Sequence, residues 1–363
     1  MDQRVHEHAE VLVDWSARVE AGDDVVLSVA EGAHDLAVAV AEKLGERGAN
    51  PLVTYDSDEV TRAYLRGHDG EFGTGDHELA MVENADVYLR LGGGRNTSAL
   101  ADVPGEVRQA HSTATAELKE ARMDTDWVST VHPTRSLAQQ AGMAYEEYRE
   151  FVYGAILRDW ESLAAEMAGM KELLDSGSEV RLVTEGTDLT MSIENRTAVN
   201  SAASVAYDSH NLPSGEVFTA PQATEGEVFF DVPMTINGKR LRDVSLTFEG
   251  GEVVDFSAGA NEEELETILG TDDGARRLGE LGIGMNRGID RFTDTVLFDE
   301  KMGDTVHLAL GRAYDACLPG GEAGNESAVH VDLITDMSEG RMEIDGEVVQ
   351  RNGTFRWEDG FEG

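Results

Sequence analysis

Apolar residues recur along the first half of the chain in two alternating rhythms. Val11, Leu12, Trp15 and Val19 repeat at helical spacing, and Val25-Val26-Leu27-Ser28-Val29 then forms a short apolar run. Residues 33–44 return to the helical period before Gly45 and Gly48. Further runs at 51–55, 86–91 and 127–131 read as strands, the second leading directly into Gly92-Gly93-Gly94. Strands separated by helices predict an α/β layer with a mostly parallel sheet. Residues 144–175 read as one long helix bridging two domains, with Phe151, Ile156, Trp160, Leu163 and Met167 as its buried stripe. Past Gly177 the rhythm shortens to strands at 180–184, 188–193, 227–232, 244–248 and 253–256, with Gly250-Gly251 as a hairpin turn. The expected class is α/β plus α+β: an N-terminal α/β domain with its bridging helix over 1–175, then a β-rich domain over 176–363.

Composition narrows the partners. A chain of 363 residues is long enough for two cores. Its 71 acidic residues against 29 basic ones leave a net charge of −42, which repels nucleic acid and anionic membranes. The acids are dispersed, as in Glu146-Glu147 or Glu262-Glu263-Glu264, and so describe a solvated surface and not an acidic tail. Lysine is confined to Lys43, Lys119, Lys171, Lys239 and Lys301 while arginine stays common. That balance suits a molar-salt cytosol, where the Debye length is about 3 Å and carboxylate repulsion is screened; the chain reads as halophilic. A single cysteine, Cys317, excludes an intrachain disulfide. The opening Met1-Asp2-Gln3-Arg4-Val5-His6 lacks a signal-peptide pattern, and no stretch nears the roughly 20 apolar residues of a membrane span, so a cytoplasmic protein is expected.

Two early motifs invite chemistry and fail on spacing. Glycines at 92, 93 and 94 after a strand could cradle an anion, but Gly94-Arg95-Asn96-Thr97 completes neither a dinucleotide fingerprint nor a P-loop, so a structural turn is the better account. His6-Glu7-His8-Ala9-Glu10 is not H-E-x-x-H. The second half is richer. His330 and Asp332, two apart on a strand, point to one face and aim an imidazole and a carboxylate at a common point. His307 and Tyr314 are seven apart and cannot share a strand face, so Tyr314 must reach round from beyond Gly311, where the strand can end. Glycines beside Glu216 and Glu280 allow close backbone approach. Imidazole with carboxylate suits zinc, cobalt or manganese. Among 71 acids and ten histidines a chance His-x-Asp pair is also expected, and spacing by itself leaves both readings open.

Four segments together carry a resemblance. They are N-L-P-S-G-E-V-F-T-A-P from Asn211, G-E-L-G-I-G-M-N from Gly279, D-E-K from Asp299 leading to H-L-A-L-G-R-A-Y from His307, and N-E-S-A-V-H-V-D from Asn325. In this order they resemble the aminopeptidase T and aminopeptidase S family of metallopeptidases, and the likeness spans nearly the whole chain. The resemblance implies a site for two divalent ions, zinc, cobalt or manganese, on Glu216, Glu280, His307, Tyr314, His330 and Asp332. It makes the β-rich domain catalytic, the substrates peptides with a free N-terminus, and the assembly a homodimer. Glu280 or Glu216 would bridge the ions or take a proton from the attacking water, and Tyr314 would coordinate or donate to the oxyanion.

Two further readings use the same residues differently. His307, His330 and Asp332 alone are the two-histidine, one-carboxylate set of mononuclear iron oxygenases, as in ring-cleaving dioxygenases. A non-catalytic anion-binding protein would instead use Gly92, Gly93 and Gly94 and keep the C-terminal site as a structural one.

Overall fold

The computed structural model describes residues 2–236 and 238–362. It divides into two compact units, Met1–Arg158 with Ala203–Pro213, and Asp159–Ala202 with Ser214–Gly363.

The first unit is built on strands β1 (Asp24–Ala30), β2 (Asn50–Asp56), β3 (Val87–Gly92) and β4 (Asp126–Val131). They pair in parallel in the order β2-β1-β3-β4, and the short strand Asn211–Leu212 adds a fifth beside β4. The apolar run of β1 is there because a central parallel strand is covered on both faces: Val25, Val26, Leu27 and Val29 are all buried. Helix His34–Arg47 connects β1 to β2 and buries Leu36, Ala37, Val40 and Leu44. The opening helix Gln3–Glu10 widens into a π-helical stretch at Val11–Ser16, where Ala17 N reaches back five residues to Leu12 O at 2.9 Å.

Where the apolar period predicts one helix over 144–175, the chain forms two, Tyr145–Ile156 and Trp160–Ser176. Leu157 leaves helical geometry with φ −85° and ψ 56°. Asp159 then starts the second helix by accepting from Ser162 N at 3.1 Å and Ser162 Oγ at 2.8 Å, an N-cap that the apolar stripe running through both helices hides. The boundary between the units falls in this break.

The second unit holds two antiparallel sheets. The larger contains Glu179–Thr184, Thr187–Ser192, Gln222–Phe230, Lys239–Glu249 and Glu252–Ala260, with the Gly250-Gly251 turn between the last two. The smaller is made of β5 (Val199–Ser201), β6 (Glu216–Thr219), β7 (Leu278–Gly284), β8 (Thr305–Gly311) and β9 (His330–Asp336), in the order β9-β8-β7-β6-β5. Every residue of β7 and β8 is buried. Helix Trp160–Ser176 packs on β5 and β6, where Asn200 Nδ2 donates to Ala164 O at 3.0 Å. Among the described residues no helix is long and apolar enough to cross a membrane.

Candidate metal centre

The side-chain alternation of β7 and β8 sorts chemistry from packing. On β7, Glu280, Gly282 and Gly284 share one face while Leu281 and Ile283 take the other; on β8, His307, Ala309 and Gly311 alternate with Leu308 and Leu310. Register then aligns the polar face across strands. Gly284 stands opposite Glu216, Gly282 opposite His307, Ala309 opposite both Glu280 and Asp332, and Gly311 opposite His330. Each large side chain of this polar face therefore lies over a small neighbour. The case is sharpest at Gly282, where a Cβ would sit 2.0 Å from His307 Cε1 and 2.1 Å from its Nε2. The imidazole lies directly on the glycine, and no larger residue leaves it room. At Gly311, φ is +105° and the strand ends, which lets the chain turn so that Tyr314 comes back beside the sheet.

The six residues singled out from the sequence converge as follows. Glu216, Glu280 and His307 are buried and offer ligand atoms within 4.8 Å of one another; Glu280 with the half-buried His330 and Asp332 forms a second group within the same distance. Glu280 belongs to both groups. His307 Nε2 is 2.9 Å from Glu280 Oε1 and 3.6 Å from Glu216 Oε2, and His330 Nε2 is 3.6 Å from both Glu280 Oε2 and Asp332 Oδ1. His330 Nδ1 donates to the Arg312 carbonyl at 2.8 Å; since a carbonyl only accepts, this fixes the tautomer and turns the Nε2 lone pair towards the carboxylates. Tyr314 is half exposed, its ring centroid 4.8 Å from that of His330 and 5.8 Å from that of Phe218.

Charge in this pocket is heavily one-sided. Burial raises the Glu280 carboxyl above its usual range; the His307 hydrogen bond opposes this while Asp332 and Glu216 add to it. Burial opposes a charge on His307, yet its hydrogen bond to Glu280 and the nearby Glu216 and Asp332 lift it to about 9. The Tyr314 phenol is held above its ordinary range by burial and by Glu280, Asp332 and Glu216. Glu216 Oε2 and Glu280 Oε2 are buried with no hydrogen-bond partner. Buried carboxylate oxygens without donors are costly, and three carboxylates with two imidazoles and no thiolate fit a divalent cation of borderline or hard character.

Lys301 went unmarked as a site residue although it sits in the D-E-K segment. It is fully buried, with Nζ 3.5 Å from Glu216 Oε1 and an ion pair to Glu300. A lysine three residues into an acidic, glycine-flanked stretch carries no period that marks it as buried. The signal legible in the sequence was instead the alternation of Glu and Gly with Leu and Ile from Glu280 to Gly284.

Both alternative readings fare worse against this geometry. His307, His330 and Asp332 do not form one ligand group among the described residues; they fall into separate groups joined by Glu280, so a single-iron facial triad is not favoured. At the other candidate, the cavity beside Gly94 is lined by Glu31, Asp56 and Asp58 with Arg90 as its basic residue. Burial and the neighbouring Glu31 and Asp56 raise the Asp58 carboxyl, which is the field of a site that repels anions. Gly93, at φ +134°, serves the turn.

Known proteins resemble this chain along nearly its whole length. The profile of the family described as Thermophilic metalloprotease (M29) matches residues 1–356. Aminopeptidase T of Thermus aquaticus is 28% identical, over 97% of this chain and 96% of its own length. Aminopeptidase AmpS of Bacillus subtilis (strain 168) is 25% identical, over 97% of this chain and 98% of its own. The solved structure of wild-type AmpT from Thermus thermophilus superposes with a TM-score of 0.84 at 26% identity, covering 98% of this chain and 99% of that one. A buried carboxylate and histidine centre, a shared fold and a family match running from the first residue to 356 lead to one conclusion: the chain belongs to the M29 family of metalloproteases and is an enzyme of that class.

Proposed function

We propose that this metallopeptidase is an aminopeptidase that hydrolyses the N-terminal bond of peptides bearing a free amine, and that it works with two divalent ions. The names of its relatives support the exopeptidase activity. The observation that carries the two-ion reading is that Glu280 faces two ligand groups, one oxygen towards His307 and the other towards His330.

In this reading Glu280 would serve both ions, with Glu216 and His307 as the further ligands in one group and His330 and Asp332 in the other. Bound divalent ions supply a water of lowered pKa and Lewis acidity for the scissile carbonyl. The protein's own part is orientation: the Arg312 carbonyl fixes the His330 ring, Gly282 seats the His307 ring, and the buried strands exclude water. Tyr314 keeps its proton and so presents an O–H to the carbonyl oxygen as charge develops there. The substrate's ammonium is attracted by the acidic surroundings, an attraction that a blocked, neutral N-terminus does not gain.

Metal counting on the active protein, coupled to hydrolysis of aminoacyl-anilides in molar salt with and without chelator, tests this. Two ions per chain and activity lost on chelation are expected. Glu280→Gln should lose both ions, and Glu216→Gln should lower activity by at least about 100-fold with the fold intact. Full activity with one ion per chain refutes the two-ion reading.

A further inference from the structure

Lys301 combines complete burial with a direct approach to a ligand carboxylate. An ammonium taken out of water is costly unless paired, and Lys301 has two carboxylates, Glu216 at 3.5 Å and Glu300 in an ion pair. Its backbone is tied to the segment that carries Glu216. The Lys301 carbonyl accepts from Asn286 N at 3.2 Å, Asn286 Nδ2 donates to Ser214 O at 2.8 Å, and Met285 N donates to Gly215 O at 2.9 Å. Just upstream, Asp299 pins the preceding loop by accepting from Thr293 N, Thr293 Oγ1 and Thr295 N at 2.7–2.9 Å. Three stretches distant in sequence are thus locked around Glu216, with Oε1 turned to Lys301 and Oε2 to His307.

We propose that Lys301 is a positioning residue for the metal centre: its ammonium holds Glu216 Oε1, so that Glu216 offers one oxygen, Oε2, to the ion at the His307 end. The inference rests on the two-ion reading above. A carboxylate restrained to one oxygen leaves a coordination position that a chelating carboxylate would fill, and an open position is what separates catalytic from structural sites. Glu300 cancels the lysine's charge beside the cation, so the restraint does not repel the ion it serves.

The double variant Glu300→Gln, Lys301→Met removes one charge of each sign and leaves the net charge of the pocket unchanged. Cobalt titration of the chelator-stripped full chain should show one ion bound about 10–100-fold more weakly and the other within about threefold of wild type. The weakened ion should be the one that Glu216→Gln also weakens. Equal loss of both ions, as general loosening produces, overturns the inference, and so does no loss at all. Circular dichroism and thermal unfolding establish that the variant folds. Should it not fold, Glu300→Gln alone is the test, because Glu300 is reached by solvent and its loss leaves the ammonium with Glu216 as its one remaining carboxylate, where its charge weakens the same ion. A wild-type chain that binds a single ion contradicts the two-ion reading by itself; Lys301 is then judged by whether that ion weakens in the variant, and an unchanged affinity overturns its role.

Discussion

On the proposed function, a proton and a metal ion would compete for one nitrogen of His307. Nε2 faces Glu280 at 2.9 Å, and in the metal-free protein the surrounding carboxylates, outweighing burial, hold the imidazolium up to about pH 9. Because this folded-state value lies above the ordinary imidazole value of 6.5, the charged pair stabilises the fold fully below pH 6.5 and that contribution is lost as pH rises through about 9. Metal binding runs the opposite way, since a ligating imidazole must be neutral. Divalent-ion affinity should therefore climb with pH until about 9 and then level off. Competition against a chelator of known pH dependence measures this. An affinity that is flat between pH 6.5 and 9 contradicts the raised imidazolium at His307.

At the scale of a strand, β7 shows why a run of glycine in a buried sheet is not a weakness here. Gly282 has ordinary extended geometry, so its constraint is space and not φ: a methyl group there would lie 2.0–2.8 Å from three atoms of the His307 ring. Gly282→Ala must displace either the ring or the strand. Overpacking of this kind costs about 1–3 kcal/mol, and a displaced ligand costs about 10–100-fold in metal affinity. Gly45→Ala is the matched control, because nothing lies within 4 Å of a Cβ at that helical position. It should leave metal binding unchanged and hold or raise stability. Thermal unfolding and cobalt titration of the pair report both effects. Equal behaviour of the two variants would remove the steric account of the motif.

For the molecule as a whole the dominant fact is a net charge of −42. Self-repulsion of that size destabilises a compact chain, and it weakens as the Debye length shrinks from about 10 Å at 0.1 M salt to about 3 Å at 1 M. Exposed ion pairs such as Arg181 with Asp188 at 2.8 Å are weakened by the same screening, but pairs of this kind contribute little to stability. Repulsion has the larger total, so the unfolding midpoint should rise from dilute to molar sodium chloride, by roughly 2–4 °C for each kcal/mol gained. A midpoint that falls or stands still over that range argues against the halophilic reading of the composition.

Much of this was written in local pattern. The strands of the parallel sheet follow from short apolar runs between helical periods, the last two strands of the larger sheet meet at Gly250-Gly251, and β8 ends at Gly311. That His330 and Asp332 share a face, and that Glu280, Gly282 and Gly284 alternate with Leu281 and Ile283, follows from the two-residue repeat of any strand. These features depend on covalent geometry and near neighbours, which a sequence carries outright. Register does not. Only packing between strands separated by tens of residues sets Gly282 opposite His307 and Ala309 opposite Asp332, and a slip of one residue would turn every candidate ligand of the slipped strand to the other face. The same long-range packing made Glu280 common to two ligand groups, parted His307 from His330 and Asp332, and buried Lys301 against Glu216. Sequence determined which side chains face together along one strand; tertiary structure decided which strands bring them within reach of one another.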